Sequence, residues 1–386
     1  MRRVLNIITS VHDGGLERHV YYIVSLKQSE LLEHYVAVLT PRTENSLTDK
    51  YSLLGINIKY FNFDNRLRNF KSVPKNIAQV FKLAYFIRKN KIEVVHSHDF
   101  FPAFVSRVSV LTCFVFFFHK VKRIYITLHI VFLWLKPVHN FINRLLSFIT
   151  SKIVCLSNAI KQYSLTNDKI KPGKYIIINT GVDTSKFIPN KDTGNEYCAK
   201  FGYSTRDFIL GNIGVLSIRK GQIYLLNALN QLKGKYPNLK LLIIGGERSH
   251  EKEIAQGLYN FISENNLEDL VKIISPRDDV NLIYNIFDVF VMPSVTEGLS
   301  ACAIEAMLMK RLCLFSDIEP FKELVTNGKE GFLFKNKDID DLVEKLDYII
   351  SRYNELNNVK ESAYNSVKDK YDVHNMVKKY EKLYLN

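Results

Sequence analysis

Short apolar runs alternate with helical patterns along the whole chain. Thirteen runs of five to eight mainly β-branched, leucine and aromatic residues predict strands. Seven occupy residues 4–10, 35–40, 56–63, 94–98, 124–129, 152–157 and 175–180, and six occupy 209–216, 239–246, 271–276, 289–294, 312–317 and 331–335. Because the runs are almost continuously apolar, they predict parallel sheets covered by helices on both faces.

A less regular stretch over residues 182–202 separates the two sets of strands. A chain of 386 residues also exceeds what one hydrophobic core usually fills. We therefore expect an α/β protein with two doubly wound, Rossmann-like domains over residues 1–190 and 191–365, and a hinge near 183–205. Residues 366–386 are expected to form a C-terminal helix that packs back toward the first domain.

The positive charge of the chain is concentrated in its first half. The net charge is +14, yet residues 1–190 carry +16 and residues 191–386 carry −2. Residues 101–150 contain six basic and no acidic side chains, interleaved with aromatics. This asymmetry favours an anionic partner for the first half over a merely solvated basic face.

The most apolar run is residues 108–118, with eleven residues. A bilayer span needs roughly 20 such residues, so this run is expected to be too short for one. It is compatible with a core helix or with an amphipathic segment in the lipid headgroup layer.

The five cysteines are scattered and form neither a CxxC motif nor a Cys/His metal spacing. Together with the lack of a recognisable signal sequence, they favour a reducing compartment. A structural zinc site has little support.

Several predicted strands end in residues that suit a ligand site, since ligands of such sheets bind beyond the carboxyl ends of strands. Gly14 and Gly15 form a strand-to-helix turn that lets an anion approach the backbone, although a tight connection explains them equally well. His129 ends another strand, and each strand-end histidine taken singly is more often structural. A metal site at His98, Asp99 and His129 lacks a spacing signature. Lys220, before Gly221, can neutralise phosphate oxygens, but no P-loop is present.

The stretch PSVTEGLSACAIEA at 293–306 places Glu297 and Glu305 seven intervening residues apart. The two carboxylates could be an acid/base pair, two contacts to one ligand, or surface charge. On a continuous helix they would lie about 80° apart. A strand, a loop and a helix capped by Ser300 instead put Glu297 before the helix and Glu305 in its second turn. The helix N-terminus between them suits a phosphate.

With these residues in place, the chain resembles the retaining glycosyltransferases of family 4, which have the GT-B fold of two Rossmann-like domains. The resemblance covers nearly the whole chain. PSVTEGLSACAIEAM matches the family's two-glutamate signature, and further matches in order are GGLERHV, VVHSHD, ITLH, INTGVD, IRKG, IIGG, DVFVMPS and SDIEPFKELVTNGKEGFLF.

The resemblance implies a role for each matching residue. Glu297 is expected to contact the hydroxyls of the donor sugar, His129 to reach that sugar, and Glu305 to hold the nucleotide ribose. The remaining donor-binding residues are expected to contact the diphosphate or, for Arg277, the base: Gly14, Gly15, Arg219, Lys220, Arg277, Gly298, Leu299 and Ser300.

Two segments depart from the family pattern, at three positions. Val215 stands where members often have a phosphate-binding arginine, for which Arg219 is a candidate substitute. Glu319 and Pro320 stand where many members have glycine. The donor sugar, base and acceptor are therefore left open.

The resemblance further implies transfer from a nucleotide sugar, with UDP-sugars favoured, to a glycan or lipid-linked acceptor on the first domain. We expect no cofactor, no bound metal and no nucleic acid, and a cytoplasmic location peripheral to the inner face of the cytoplasmic membrane. Alternatives are a glycosidase, a sugar-nucleotide epimerase of the same fold, and a basic protein that binds nucleic acid or membranes.

Overall fold

The computed structural model describes residues 1–11, 14–42, 46–64, 72–131, 137–247 and 251–386, and it divides the chain into two units. Unit 1 comprises Met1–Gly181 and Val373–Asn386, and unit 2 comprises Val182–Asp372. The first boundary thus falls before residue 190. Residues 182–190 belong to unit 2 because they hydrogen-bond to it: the Val182 amide donates to the Tyr371 carbonyl (2.8 Å), and the Asn190 amide donates to the Asn285 side chain (2.8 Å).

Unit 1 contains a parallel sheet of seven strands in the order β3-β2-β1-β4-β5-β6-β7. The strands are β1 (Arg2–Ile8), β2 (Leu32–Val38), β3 (Asn57–Tyr60), β4 (Val94–His98), β5 (Arg123–Leu128), β6 (Lys152–Cys155) and β7 (Tyr175–Ile177). Its helices are α1 (Gly15–Ser25), α2 (Ser46–Leu53), α3 (Val73–Lys89), α4 (Phe100–Phe117), α5 (Pro137–Leu146), α6 (Asn158–Asp168) and, from the end of the chain, α15 (Val373–Leu385).

Unit 2 contains a parallel sheet of six strands in the order β10-β9-β8-β11-β12-β13. The strands are β8 (Phe208–Ile213), β9 (Leu239–Ile244), β10 (Val271–Ile274), β11 (Val289–Met292), β12 (Leu312–Ser316) and β13 (Phe332–Phe334). The helices are α7 (Lys191–Lys200), α8 (Gln222–Leu232), α9 (Lys252–Glu264), α10 (Val280–Ile283), α11 (Ala301–Leu308), α12 (Glu319–Lys322), α13 (Ile339–Ser351) and α14 (Asn357–Val367).

The predicted fold class is confirmed in both units. Each of the thirteen predicted strands occurs, with ends shifted by at most three residues. In both sheets the chain first adds strands toward one edge, then returns to the middle and adds strands toward the other edge. This places a topological switch point between β1 and β4 in unit 1 and between β8 and β11 in unit 2. Ligand sites of such sheets lie beyond the carboxyl ends of the strands at these points.

Helix α4 is longer than the apolar run 108–118 suggested. It has 18 residues, and by length and composition alone it is long and apolar enough to cross a membrane, so the expectation of a segment too short for this is not met. Its first part, including Ala103, Val105 and Val110, is buried against the unit 1 sheet, while Phe114 and Phe116 near its end are exposed. The helix therefore has a core segment followed by an exposed apolar end.

Helix α15 completes the core of unit 1. Val373, Val377 and Tyr380 are buried in one cluster with Val4 of β1 and Val94 of β4. Polar contacts fix the same helix, because the Tyr125 hydroxyl donates to the Leu383 carbonyl (2.8 Å) and the Glu381 carboxylate accepts from the amides of Gln28 and Ser29 (2.7 and 2.9 Å).

Candidate active site

The two-glutamate stretch, residues 293–306, follows strand β11 of unit 2 and continues into helix α11. Glu297 is in the loop between them, and Glu305 is in the second turn of α11. Ser300 caps the helix, since its Oγ accepts from the Ala303 amide (3.4 Å). The local structure predicted from the sequence is therefore present, with the helix N-terminus between the two carboxylates.

Glu297 is buried and held by two cations. Its side chain is 6% exposed, and its Oε1 lies 2.6 Å from Lys220 Nζ while its Oε2 lies 3.2 Å from an Arg219 guanidinium nitrogen. Ser294 Oγ donates a further hydrogen bond to Oε1 (2.9 Å). Burial raises the pKa of Glu297, but Lys220 and Arg219 outweigh it and hold that pKa below its ordinary value. The carboxylate is thus ionised at neutral pH.

The turn before α8 carries both cations to Glu297. Ser217 Oγ accepts from the Lys220 amide (3.3 Å), and the Val295 amide donates to the Arg219 carbonyl (2.8 Å). Gly221 has φ +68°, and a Cβ there would lie 2.1 Å from the Pro293 carbonyl oxygen. Only glycine fits this close approach of two loops. Arg219, the candidate substitute for the arginine that Val215 replaces, points into the site.

Glu305 has a different set of partners from Glu297. Its side chain is buried, and its Oε2 accepts from the Tyr284 hydroxyl (3.0 Å), which also contacts the Cys302 carbonyl (2.9 Å). Burial and the nearby Glu305 raise the pKa of Tyr284 well above its ordinary value. Its hydroxyl therefore keeps its proton and can donate a hydrogen bond. The separate environments favour two ligand contacts over a single acid/base pair.

Arg277 does not join this cluster. Its guanidinium forms two hydrogen bonds of 2.7 Å to Asp279, which also accepts from the Tyr197 hydroxyl (2.9 Å). Asp279 directly precedes α10, but its side chain makes no capping bond to that helix. The physical reason is the bidentate pairing, which together with Tyr197 lowers the pKa of Asp279 to about 2.

The candidate residues of unit 1 lie at the carboxyl ends of β1 and β5. Gly14 precedes helix α1, and its carbonyl accepts from the Arg18 amide (3.0 Å). A Cβ on Gly14 would lie 2.5 Å from a Glu17 carboxylate oxygen, so this turn already faces one anionic side chain. His129 follows β5, and its amide donates to Asp99 Oδ1 (2.8 Å).

The ring of His129 belongs to a buried cluster of histidines and tyrosines that sequence reasoning missed. His129 Nε2 lies 3.1 Å from His98 Nδ1, and its ring centroid is 4.9 Å from that of His19. Two tyrosines of α15 complete the cluster: the Tyr380 hydroxyl lies 3.1 Å from His19 Nε2, and the Tyr384 hydroxyl lies 2.5 Å from His96 Nδ1. Because Tyr380 and Tyr384 are four residues apart, the sequence indicates that they share one face of a helix. It does not reveal that this face contacts the histidines.

The histidine rings are neutral. Burial lowers the pKa of His19 to about 3, and burial and then neighbouring histidines lower the pKa of His129, His98 and His96 well below the ordinary value. A neutral His129 can donate a hydrogen bond without adding charge. Among the residues that the structure describes, no group of three or more histidine, cysteine or acidic side chains could hold a metal ion.

The chain has two units, each built on a parallel sheet. One of them holds a buried carboxylate between two cations, next to a helix N-terminus. Together these features place the protein in the class of GT-B glycosyltransferases. Sequence comparison agrees. Residues 13–186 match the family model described as Glycosyltransferase Family 4, and residues 195–366 match the model described as Glycosyl transferases group 1. The chain belongs to this family of glycosyltransferases.

Curated relatives include bacterial enzymes of surface glycan synthesis. An Escherichia coli protein named UDP-Gal:alpha-D-GlcNAc-diphosphoundecaprenol alpha-1,3-galactosyltransferase is 26% identical over 377 residues, which cover 94% of this chain and 92% of the relative. A Staphylococcus aureus capsular polysaccharide biosynthesis glycosyltransferase, CapM, is 26% identical over 54% of each chain.

Solved structures show the same fold over the whole chain. Anabaena HepE in complex with UDP and glucose has a TM-score of 0.86 at 17% identity, covering 99% of both chains. A glycosyltransferase from Rickettsia africae has a TM-score of 0.82 at 20% identity, covering 99% of this chain and 97% of the other.

Proposed function

We propose that this glycosyltransferase moves a sugar from a nucleotide diphosphate, most favourably UDP, to a hydroxyl of a lipid-linked glycan, with retention of anomeric configuration. The acceptor would be an intermediate of a bacterial capsule, O-antigen or exopolysaccharide. The observation that carries the proposal is the buried Glu297 between Lys220 and Arg219. Such a carboxylate is oriented for sugar hydroxyls, and the cations suit a diphosphate.

The donor is proposed to lie across unit 2 with each part held by a different residue. Glu305, fixed by Tyr284, accepts hydrogen bonds from the ribose. Lys220 and Arg219 contact the diphosphate, and the amides of Gly298, Leu299 and Ser300 at the N-terminus of α11 supply further donors. The backbone around Arg277 is proposed to face the base. Gly14 and Gly15, before helix α1 of unit 1, offer backbone amides to an anion.

Donor binding exchanges partners within this cluster. The diphosphate carries more negative charge than one carboxylate, and it competes with Glu297 for Lys220 and Arg219. Each cation that turns to the phosphates leaves a Glu297 oxygen available to a sugar hydroxyl. Phosphate binding by Lys220 and Arg219 is therefore coupled to recognition of the sugar by Glu297.

The chemical step needs stabilisation of the leaving diphosphate. Lys220 and the N-terminus of α11 meet the negative charge that develops as the glycosidic bond to phosphate breaks. The acceptor hydroxyl then attacks on the same face of the sugar, and its proton leaves with the departing phosphate. The role toward the sugar that the resemblance implies for His129 needs an uncharged ring, and burial keeps the pKa of His129 well below its ordinary value.

A lipid-linked acceptor would place the enzyme at the inner face of the cytoplasmic membrane as a peripheral protein. The excess of +16 in residues 1–190 supports this location, since each Lys or Arg near an anionic bilayer adds about 1 kcal/mol of attraction. The E. coli relative named above acts on a diphosphoundecaprenol glycan, which supports the same class of acceptor.

The test combines a donor panel with a lipid-linked acceptor. We expect one UDP-sugar to raise the thermal stability of the protein more than the corresponding GDP-sugar and to be consumed in the presence of acceptor, with a product of the donor's anomeric configuration by NMR. Turnover of donor without any acceptor, yielding an epimerised sugar nucleotide, would instead identify an epimerase. Inverted product would refute the retaining mechanism.

A further inference from the structure

A groove of about 850 Å³ runs along the outer edge of the unit 1 sheet. Edge strand β3 forms one wall, helix α3 the other, and the residues after β2 close one end. It is distinct from the cluster around Glu297, since every lining residue belongs to unit 1.

The charge of the groove is of one sign. Three elements supply its cations: Arg42 follows β2, Lys59 is in β3, and Lys82 and Lys89 are in α3. None of the thirteen lining residues is acidic, and none of these four cations forms an ion pair with another described residue. Unpaired cations that converge on one concave surface attract an anion.

The other lining residues suit a polar headgroup rather than a bare ion. Four amide side chains line the groove, Asn57, Asn62, Gln79 and Asn90, together with aromatic residues that include Tyr60 and Tyr85. The last three amides each also make one hydrogen bond within the protein, which leaves them further donors or acceptors. Amides offer both donors and acceptors to hydroxyl groups, and aromatic rings pack against apolar parts of a ligand.

An exposed aromatic surface borders the groove on helix α3. Phe81 and Tyr85 lie one turn of α3 apart. Lys82 and Lys89 share a neighbouring face of the helix, and Lys82 lies about 100° around the axis from Phe81. The Phe81 ring packs against Phe116 of α4 (centroids 5.1 Å apart), and Tyr85, which also lines the groove, packs against Phe117 (6.1 Å).

The end of α4 extends this surface into solvent. Phe114, Phe116 and Phe118 are 56%, 59% and 91% exposed. Arg88 donates to the Phe117 carbonyl (3.2 Å), which adds a cation at the border. A nearby carboxylate, Glu93, is already paired with Lys122. Large exposed aromatic side chains beside cations are typical of surfaces that enter a lipid interface.

We propose that this face docks on an anionic bilayer, with the phosphate headgroup of a lipid in the groove and Phe114, Phe116 and Phe118 inserted among the acyl chains. A free anion would explain the cations but not the exposed aromatics, and an apolar partner would explain the aromatics but not the cations. The inference deepens the proposed membrane location and rests on it, while sugar transfer is a separate property of the chain.

Flotation of the full chain with lipid vesicles tests the proposal. The vesicles contain phosphatidylcholine alone or equal parts of phosphatidylcholine and phosphatidylglycerol. Two double variants probe the surface, Lys82→Gln with Lys89→Gln and Phe116→Ser with Phe118→Ser. Matched controls on unit 2 are Lys252→Gln with Lys335→Gln, and Tyr259→Ser, all at exposed positions.

Wild type is expected to float with the anionic vesicles only. Because each cation near such a surface contributes about fivefold in partitioning, the lysine pair should lower it at least tenfold. The aromatic pair should lower it similarly, and the controls should match wild type. Inorganic pyrophosphate should compete with flotation.

Three results would overturn the proposal: no flotation of folded wild type at low salt, flotation of both double variants at the wild-type level, or binding of pyrophosphate without binding of vesicles. Thermal melting of every variant separates lost binding from lost fold. Sugar transfer by wild type to a water-soluble acceptor, measured in parallel, shows whether the proposed function fails or only the membrane contact.

Discussion

Lys220 Nζ lies 2.6 Å from Glu297 Oε1, although 76 residues separate the two in the chain. The pair joins the turn before α8 to the loop before α11, and both side chains are largely buried, at 13% and 6% exposure. A buried ion pair of this kind is weak support for stability by itself, since desolvation offsets much of the attraction. Its position at the carboxyl ends of β8 and β11 points to a role in ligand binding.

Replacement of Lys220 by Ala should abolish most of the activity. We expect kcat to fall by roughly 10² to 10³, because one preorganised donor to the leaving diphosphate is lost. UDP binding should weaken as well, since Lys220 also contacts the ground-state phosphates. Lys252→Ala, at an exposed position of unit 2, is the matched control. Wild-type kcat in Lys220→Ala would remove this lysine from the mechanism.

The two glutamates should differ in their effects on the free nucleotide. Glu305→Gln should weaken UDP binding by calorimetry, because the ribose contact is altered. Glu297→Gln should leave UDP binding intact or strengthen it, because Lys220 and Arg219 no longer have a competing carboxylate, while sugar transfer is lost. Equal losses of UDP binding in both variants would contradict the assigned division.

Gly221→Ala should destabilise unit 2. The new Cβ would meet the Pro293 carbonyl at 2.1 Å in a left-handed backbone conformation, so we expect a loss of at least about 2 kcal/mol in the free energy of unfolding. Gly234→Ala is the control, since a Cβ there has no atom within 4 Å and its φ is not positive. Urea denaturation measures both, and similar midpoints would refute the predicted clash.

Unit 1 should lose stability below about pH 6.5, the ordinary histidine pKa. The folded state keeps His19 and His34 neutral, with pKa values lowered to about 3 and about 4, whereas the unfolded state binds protons as the pH falls. Each such histidine therefore removes about 1.4 kcal/mol per pH unit between its two pKa values. Asp168, whose pKa burial raises to about 6, acts in the opposite direction and offsets part of this loss.

Urea denaturation from pH 7.5 to pH 4.5 measures this dependence. His19→Gln should show a shallower decline than wild type, because one buried neutral ring is removed. A slope that is the same in both proteins would show that the His19 ring does not control acid stability.

Sugar transfer should withstand chelation of divalent metals. Lys220, Arg219 and the N-terminus of α11 neutralise the donor phosphates in the proposed mechanism, so that EDTA should change kcat by less than about twofold, the scatter expected of such measurements. Activity that disappears with EDTA and returns with Mg²⁺ or Mn²⁺ would show that a cation bridges the phosphates instead.

The sequence was a good guide wherever the local pattern determines structure. The apolar runs predicted every strand, and Ser300 was correctly identified as a cap, because strand periodicity and capping depend on neighbours in the chain. The cluster of Lys220 and Glu297 could be approached only through resemblance to a family, since neither residue's surroundings reveal a partner so distant in sequence.

The remaining contacts depend on how separate elements pack. His19 and Tyr380 meet across 361 positions of sequence, and Tyr284 reaches Glu305 from another helix. Arg277 pairs with Asp279, only two residues away. The Tyr197 hydroxyl donates to the same carboxylate across 82 positions of sequence, a contact that the local pattern does not reveal.

The return of α15 to unit 1 has a consequence for biosynthesis. The 191 residues of unit 2 are translated between the two segments that build the core of unit 1. At 5 to 20 residues per second, this delay lasts roughly 10 to 40 s. During that time His96 and His19 lack their partners Tyr384 and Tyr380, and the nascent sheet exposes the apolar surface that α15 will cover. Unit 2 can thus complete its core on the ribosome before unit 1, even though unit 1 begins to emerge first.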